Sequence, residues 1–105
     1  MFEYSLVFST EYNSDLSNIP VQKLIDTLVD HIQYLREMDL HILYEPLQTS
    51  LSMDANFAII QRILNNVFSN IQKYCDPWKD IVIQTTIEED QLKMSFTNSI
   101  NHHLD

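Results

Sequence analysis

Two segments of the chain repeat apolar residues at helical spacing. In "VQKLIDTLVDHIQYLREM", Val21, Leu24, Ile25, Leu28, Ile32 and Leu35 recur at intervals of three and four, the stripe of a helix lying on a core. Lys23, Asp26, Asp30 and Glu37 fall between them and can face water. In "ANFAIIQRILNNVFSNIQKY", Ile60, Ile63, Leu64, Val67, Phe68 and Ile71 repeat in the same way. Asn18 is a candidate N-cap for the first helix, with Pro20 near its first turn. Asp54 can accept a first-turn amide of the second helix, and Asp76–Pro77 stop it.

The remaining pattern has period two. "DIVIQTTI" places Ile81, Ile83, Thr85 and Ile87 on one face, and "QLKMSFTN" does the same with Leu92, Met94 and Phe96. Joined through Glu88, Glu89 and Asp90, they predict a hairpin. "DLHILYEP" predicts a short strand over Leu40–Tyr44, ended by Pro46, and "LQTSLSM" a second one. Residues 1–10 alternate weakly and show no partner, residues 11–20 read as a polar connector, and "SINHHLD" has no periodicity. The order predicts an α+β fold: a two-layer sandwich with two helices on one face of a mixed or antiparallel sheet.

Composition narrows the function. At 105 residues the chain is one small domain that can bury roughly 65% of its extended surface. Fifteen acidic against six basic residues give a formal net charge of −9. That balance argues against nucleic acid and against contact with an anionic membrane. The single Cys75 cannot close an internal disulfide, so a reducing compartment is expected. No apolar run reaches the ~20 residues that span a bilayer. Glycine is absent, where about seven would be usual at this length. Glycine-rich phosphate loops are thereby excluded.

Candidate chemistry sits on the second helix. Asn66 and Asn70 are one turn apart and Lys73 falls on the same side. An amide oxygen is a hard ligand for Mg²⁺, which also takes water and phosphate oxygens, and an ammonium suits a phosphate. A solvated polar stripe is the plainer reading of the same spacing.

The stretch "RILNNVFSNIQKY" resembles the N box of sensor histidine kinases, the long helix of their ATP-binding catalytic domain, through Arg62, Asn66, Asn70, Lys73 and Tyr74. Met53–Asp54 resembles the apolar-Asp pair before that helix. "DIVIQTTIEEDQLKMSFTNSI" resembles the hairpin after it, which typically ends in an Asn, as at Asn98, and "FEYSLV" resembles the end of the second dimerisation helix. The resemblance implies a boundary near residue 20, with a helix end and connector over 1–20 and a partial, truncated ATPase-like domain over 21–105.

It also implies roles. Asn70 would coordinate the Mg²⁺ that bridges ATP phosphates, with Asn66 beside it. Lys73 would meet a phosphate oxygen, Tyr74 would line the pocket, and Arg62 would be a helix-surface cation one turn upstream. The departures are as informative. None of His31, His41, His102 or His103 lies in the phospho-acceptor context "H-E-x-x-T-P", and His31 reads as a boundary or surface histidine. The family's adenine-binding Asp and its glycine boxes have no counterpart before Asp105, and Ile71 and Gln72 replace residues that are often small or apolar.

The resulting expectation is the first half of a kinase ATPase domain, without a catalytic residue of its own and with little or no affinity for Mg²⁺-ATP. In a complete kinase, ATP would phosphorylate a histidine and the signal would pass to a response regulator, from the cytoplasmic portion of a membrane-bound sensor. Missing strands would leave the hairpin Asp80–Asn98 with an open edge, and Phe2, Leu6 and Phe8 would add apolar surface. A homodimer or swapped oligomer is therefore expected. The alternatives are a small acidic interaction module on a degenerate kinase-like scaffold, or an unrelated α+β domain with a chance asparagine stripe.

Overall fold

The computed structural model describes residues 2–9, 16–89 and 91–98. In chain order it has β1 (Glu3–Ser9), β2 (Ser17–Pro20), α1 (Val21–Glu37), β3 (Ile42–Tyr44), β4 (Ser52–Ala55), α2 (Phe57–Tyr74), β5 (Ile81–Glu88) and β6 (Gln91–Asn98). The main sheet runs β1-β6-β5-β3, and β2 and β4 form a separate two-stranded ribbon. β5 and β6 are the antiparallel hairpin that the alternation predicts, with Ile83 opposite Phe96 and Ile87 opposite Leu92. β3 pairs parallel to β5, with Ile42 at Ile81 and Tyr44 at Ile83. The fold is α+β, with both helices on one face of a mixed sheet.

Register decides which face is covered. Residues directly opposite in a ladder share a face, so Tyr4, Leu6, Phe8, Leu92, Met94, Phe96, Ile81, Ile83 and Ile42 all point toward the helices. Against them lie Leu24, Ile25, Leu28, Ile32 and Leu35 of α1 and Ile60, Leu64, Val67, Phe68 and Ile71 of α2. The predicted stripes are therefore the core, except that Ile63 is only partly buried.

Four expectations are corrected. First, "FEYSLV" is not a helix end: Glu3–Ser9 pairs along its full length with β6. Alternation of Phe2, Tyr4, Leu6 and Phe8 has period two, and the partner lies about ninety residues away, beyond any local signal. Second, the hairpin edge is open on one side only: β1 covers β6, whereas β3 pairs with β5 over Ile81–Ile83 and, among the described residues, leaves the outer edge of Gln84–Glu88 without a strand. Third, Asp54 does not cap α2. It lies in β4, where the burial of Met53 and Ala55 turns it outward, and it accepts from Asn18 Nδ2 at 3.2 Å. The cap is Asn56, whose Oδ1 accepts from Ile59 N at 3.2 Å. Asn18, held in β2, likewise does not cap α1. Pro20 occupies that position, and Val21 N donates instead to Leu51 O at 2.9 Å. Fourth, the second short strand lies at Ser52–Ala55, in the ribbon with β2, rather than over 47–53. Asp90, His102 and His103 lie outside the described residues.

Both helices start near the β2–β4 ribbon and end near the start of β5, so they run parallel. α1 closes with Leu40 N on Leu35 O and Asp39 N on Arg36 O, Asp39 being left-handed at φ 65°. This is a Schellman cap with aspartate in the place that glycine usually takes. Asparagine and aspartate are the non-glycine residues that tolerate that region best. Zero glycine thus needs no exotic turn here; the hairpin turn uses Glu89 at φ 53° in the same way.

Candidate functional site

The stripe on α2 is set by which residues α2 must bury. At about 100° per residue, Ile60, Leu64, Val67, Phe68 and Ile71 point to the sheet and α1. Ile59, Ile63, Asn66, Asn70 and Lys73 then form a second line, about a third of a turn round the helix from the first. Its amino-terminal half is apolar and its carboxyl-terminal half is polar.

Asn66, Lys73 and Arg62 are exposed, Asn70 is half-buried, and Tyr74 ends the helix 63% exposed. Among the described residues, no side-chain hydrogen bond or ion pair engages any of these five. Arg62 stands about 60° from the stripe on the side away from the core, and Tyr74 about 60° on the other side.

Beside the apolar half runs a groove of about 270 Å³, lined by Val7, Phe8, Met53, Ile59, Ile60 and Ile63 among others. Ile59 and Val7, at 48% and 52% exposed, give it an accessible apolar wall. The groove depends on β1, so it was not legible from the α2 pattern alone.

Two carboxamides and an ammonium on one line can donate to or accept from a polar ligand. An amide oxygen can supply one position of a Mg²⁺ octahedron, the rest coming from phosphate and water. Among the described residues, no group of three or more His, Cys, Asp or Glu could hold a metal ion.

Asn98 is a site of a different kind, and its structural role was not foreseen. It is fully buried. Its Oδ1 accepts from Asp76 N at 2.6 Å and its Nδ2 donates to Asp80 O at 3.2 Å. One side chain thus closes both ends of the α2–β5 loop. Its backbone N donates to Phe2 O at 3.0 Å, so the same residue ties in the start of β1. Asp80 also meets His41 Nδ1, and Trp78, 93% exposed, stands out from the loop.

His31 is half-buried and stacked on Phe68, centroids 4.7 Å apart. Burial pushes its imidazole pKa below the ordinary value, partly offset by the Asp30 carboxylate. It is a boundary histidine of the helix pair, as its sequence position predicts. Burial also raises the Cys75 thiol, which works against a thiolate nucleophile.

Comparison with known proteins gives one relevant likeness. The chain is 30% identical over 103 residues to the sensor histidine kinase YrkQ of Bacillus subtilis (strain 168), a match covering 95% of this chain and 23% of that protein. The chain therefore spans about a quarter of the length of the curated relative it matches. No family model matches, and no solved structure does. Among the described residues, no helix is long and apolar enough to cross a membrane. The likeness is a distant one to a histidine kinase, along almost the whole chain.

Proposed function

We propose that this chain is the phosphate-side half of a sensor-kinase ATP-binding domain. The observation that carries the reading is the line Asn66–Asn70–Lys73 on α2, exposed at Asn66 and Lys73, half-buried at Asn70 and without a side-chain partner among the described residues, within a chain similar to a sensor histidine kinase along 95% of its length. In this reading Asn70 offers its Oδ1 to a magnesium ion, Asn66 donates to or accepts from the same phosphate group, and Lys73 offsets phosphate charge. Tyr74 shields the site from the carboxyl-terminal end of α2, and Arg62 adds positive field from the flank. Magnesium, when bound with the nucleotide, would neutralise charge on the phosphates during phosphoryl transfer.

These residues do not build the adenine end. Without glycine in the 105 residues, no backbone here can approach a base as the kinases' glycine boxes do. Phosphorylation of a histidine, signalling to a response regulator and a place on the cytoplasmic side of a membrane sensor belong to a complete kinase of this kind. The second reading is a scaffold used for interaction alone. What favours it is β1, which covers the β6 side of the hairpin within the chain itself.

Amide shift mapping separates the two. Magnesium tripolyphosphate, added to the chain at millimolar concentration, should move the amide resonances of Asn66, Asn70 and Lys73 and leave β1–β6 still. Asn70→Ala should abolish those shifts without changing the fold. Shifts absent from α2, or scattered over all exposed lysines, would remove the phosphate-site reading and leave the interaction scaffold.

A further inference from the structure

Covering β6 moves the problem outward: among the described residues, β1 is an edge strand of the main sheet. Its seven residues pair with β6 without interruption. It has no proline, no lysine and no bulge, the usual protections of an exposed edge. Tyr4, Leu6 and Phe8 on its helix-side face are only partly buried, and Val7 on the other face is 52% exposed. From these features we infer that β1 pairs antiparallel with β1 of a second copy, about a twofold axis at Leu6, making one continuous eight-stranded sheet.

The register follows from the hydrogen bonds already made. Asn98 N donates to Phe2 O. In an antiparallel ladder the direction of the backbone groups alternates, so Phe2, Tyr4, Leu6 and Phe8 address β6. Glu3, Ser5, Val7 and Ser9 then turn their N–H and C=O groups to the open side.

Only one antiparallel register uses all four of those residues on each copy. It sets Glu3 against the partner's Ser9 and Ser5 against the partner's Val7, with about eight bonds from four pairs. Leu6 meets the partner's Leu6, and Tyr4 meets the partner's Phe8 twice over. These are the close, non-hydrogen-bonded positions, where aromatic cross-strand pairs are favourable. The half-buried apolar face that the edge leaves exposed is covered by its own image.

Local charge does not oppose this occupant. The chain carries −9 overall, which opposes self-association, yet β1 holds a single charge, Glu3. In this register the two Glu3 residues lie at opposite ends of the pair, roughly 20 Å apart at about 3.4 Å per residue, well beyond the Debye length of about 8 Å at physiological salt. The shift that pairs Ser5 with Ser5 instead would leave Ser9 of each copy outside the ladder, losing about two of the eight bonds, and set Tyr4 against Leu6. This inference does not depend on the nucleotide reading, since β1 carries none of the α2 stripe.

Sedimentation equilibrium of the 105-residue chain across micromolar to millimolar concentration tests it. The mass should rise from 12.4 kDa toward twice that value. Val7→Pro removes an outward N–H while leaving the bonds to β6, as edge strands permit, and should hold the chain monomeric with unchanged circular dichroism. If that variant does not fold, Ser5→Lys with Val7→Lys decides, because it sets lysine against lysine across the pair. A spin label at Glu3→Cys in a Cys75→Ser background should report an inter-copy separation near the ~20 Å of this register. A wild type monomeric throughout, a dimer indifferent to both edge variants, or labels in close contact would overturn the proposal.

Discussion

Asn98 shows how much one buried amide can settle. It sits in the core end of β6 at 0% exposure, with its oxygen and its nitrogen both engaged by the loop that follows α2. Removing it would leave Asp76 N–H and Asp80 C=O without this partner at a part-buried position, where an unsatisfied group costs about 1–3 kcal/mol. Asn98→Ala should therefore destabilise the chain by about 2–3 kcal/mol, seen as a lower urea midpoint with an unchanged slope. Asn98→Asp should not restore it, because a carboxylate cannot donate to Asp80 O. A loss below about 0.5 kcal/mol, typical of surface substitutions, would make Asn98 a bystander. In the sequence, Asn98 is visible only as the polar end of an alternating strand; its two partners lie 22 and 18 residues upstream, and nothing local encodes them.

At the scale of elements, both long helices and the β5–β6 hairpin were legible because each carries its own period over many residues. Their ends were not, because capping depends on which residue the neighbouring strand leaves free. Asp54 and Asn56 are equally good caps by type. The register of β4, with Met53 and Ala55 buried, spends Asp54 on Asn18 and leaves Asn56 for Ile59. Asn56→Ala should cost about 1 kcal/mol of stability by thermal or chemical unfolding. Asp54→Ala removes only an exposed side-chain bond and should stay within about 0.5 kcal/mol. The reverse order would restore the cap to Asp54. The β2–β4 ribbon was only half legible: β4 shows as a short alternation set a few residues early, and "SNIP" is too short to carry a period.

At the scale of the whole molecule, the layers follow from the pattern, while the closure of the sheet does not. β1 pairs with a strand at the other end of the chain, and that long-range choice both covers the β6 side of the hairpin and builds the groove beside Ile59 and Ile63. The candidate site divides along the same line. Its polar residues were readable from spacing on α2, and the structure keeps them on one line, exposed at Asn66 and Lys73 and half-buried at Asn70. The apolar wall next to them required the tertiary fold.

The central claim is that this line offers a phosphate end without an adenine end, and calorimetric titration of the chain with Mg²⁺-ATP tests it most directly. Phosphate contacts alone should give a Kd above roughly 1 mM, less than about 4 kcal/mol of binding, and Mg²⁺-tripolyphosphate should bind about as well as Mg²⁺-ATP. Micromolar affinity for Mg²⁺-ATP, with a clear preference over tripolyphosphate, would mean that these residues do hold the base and would contradict the account.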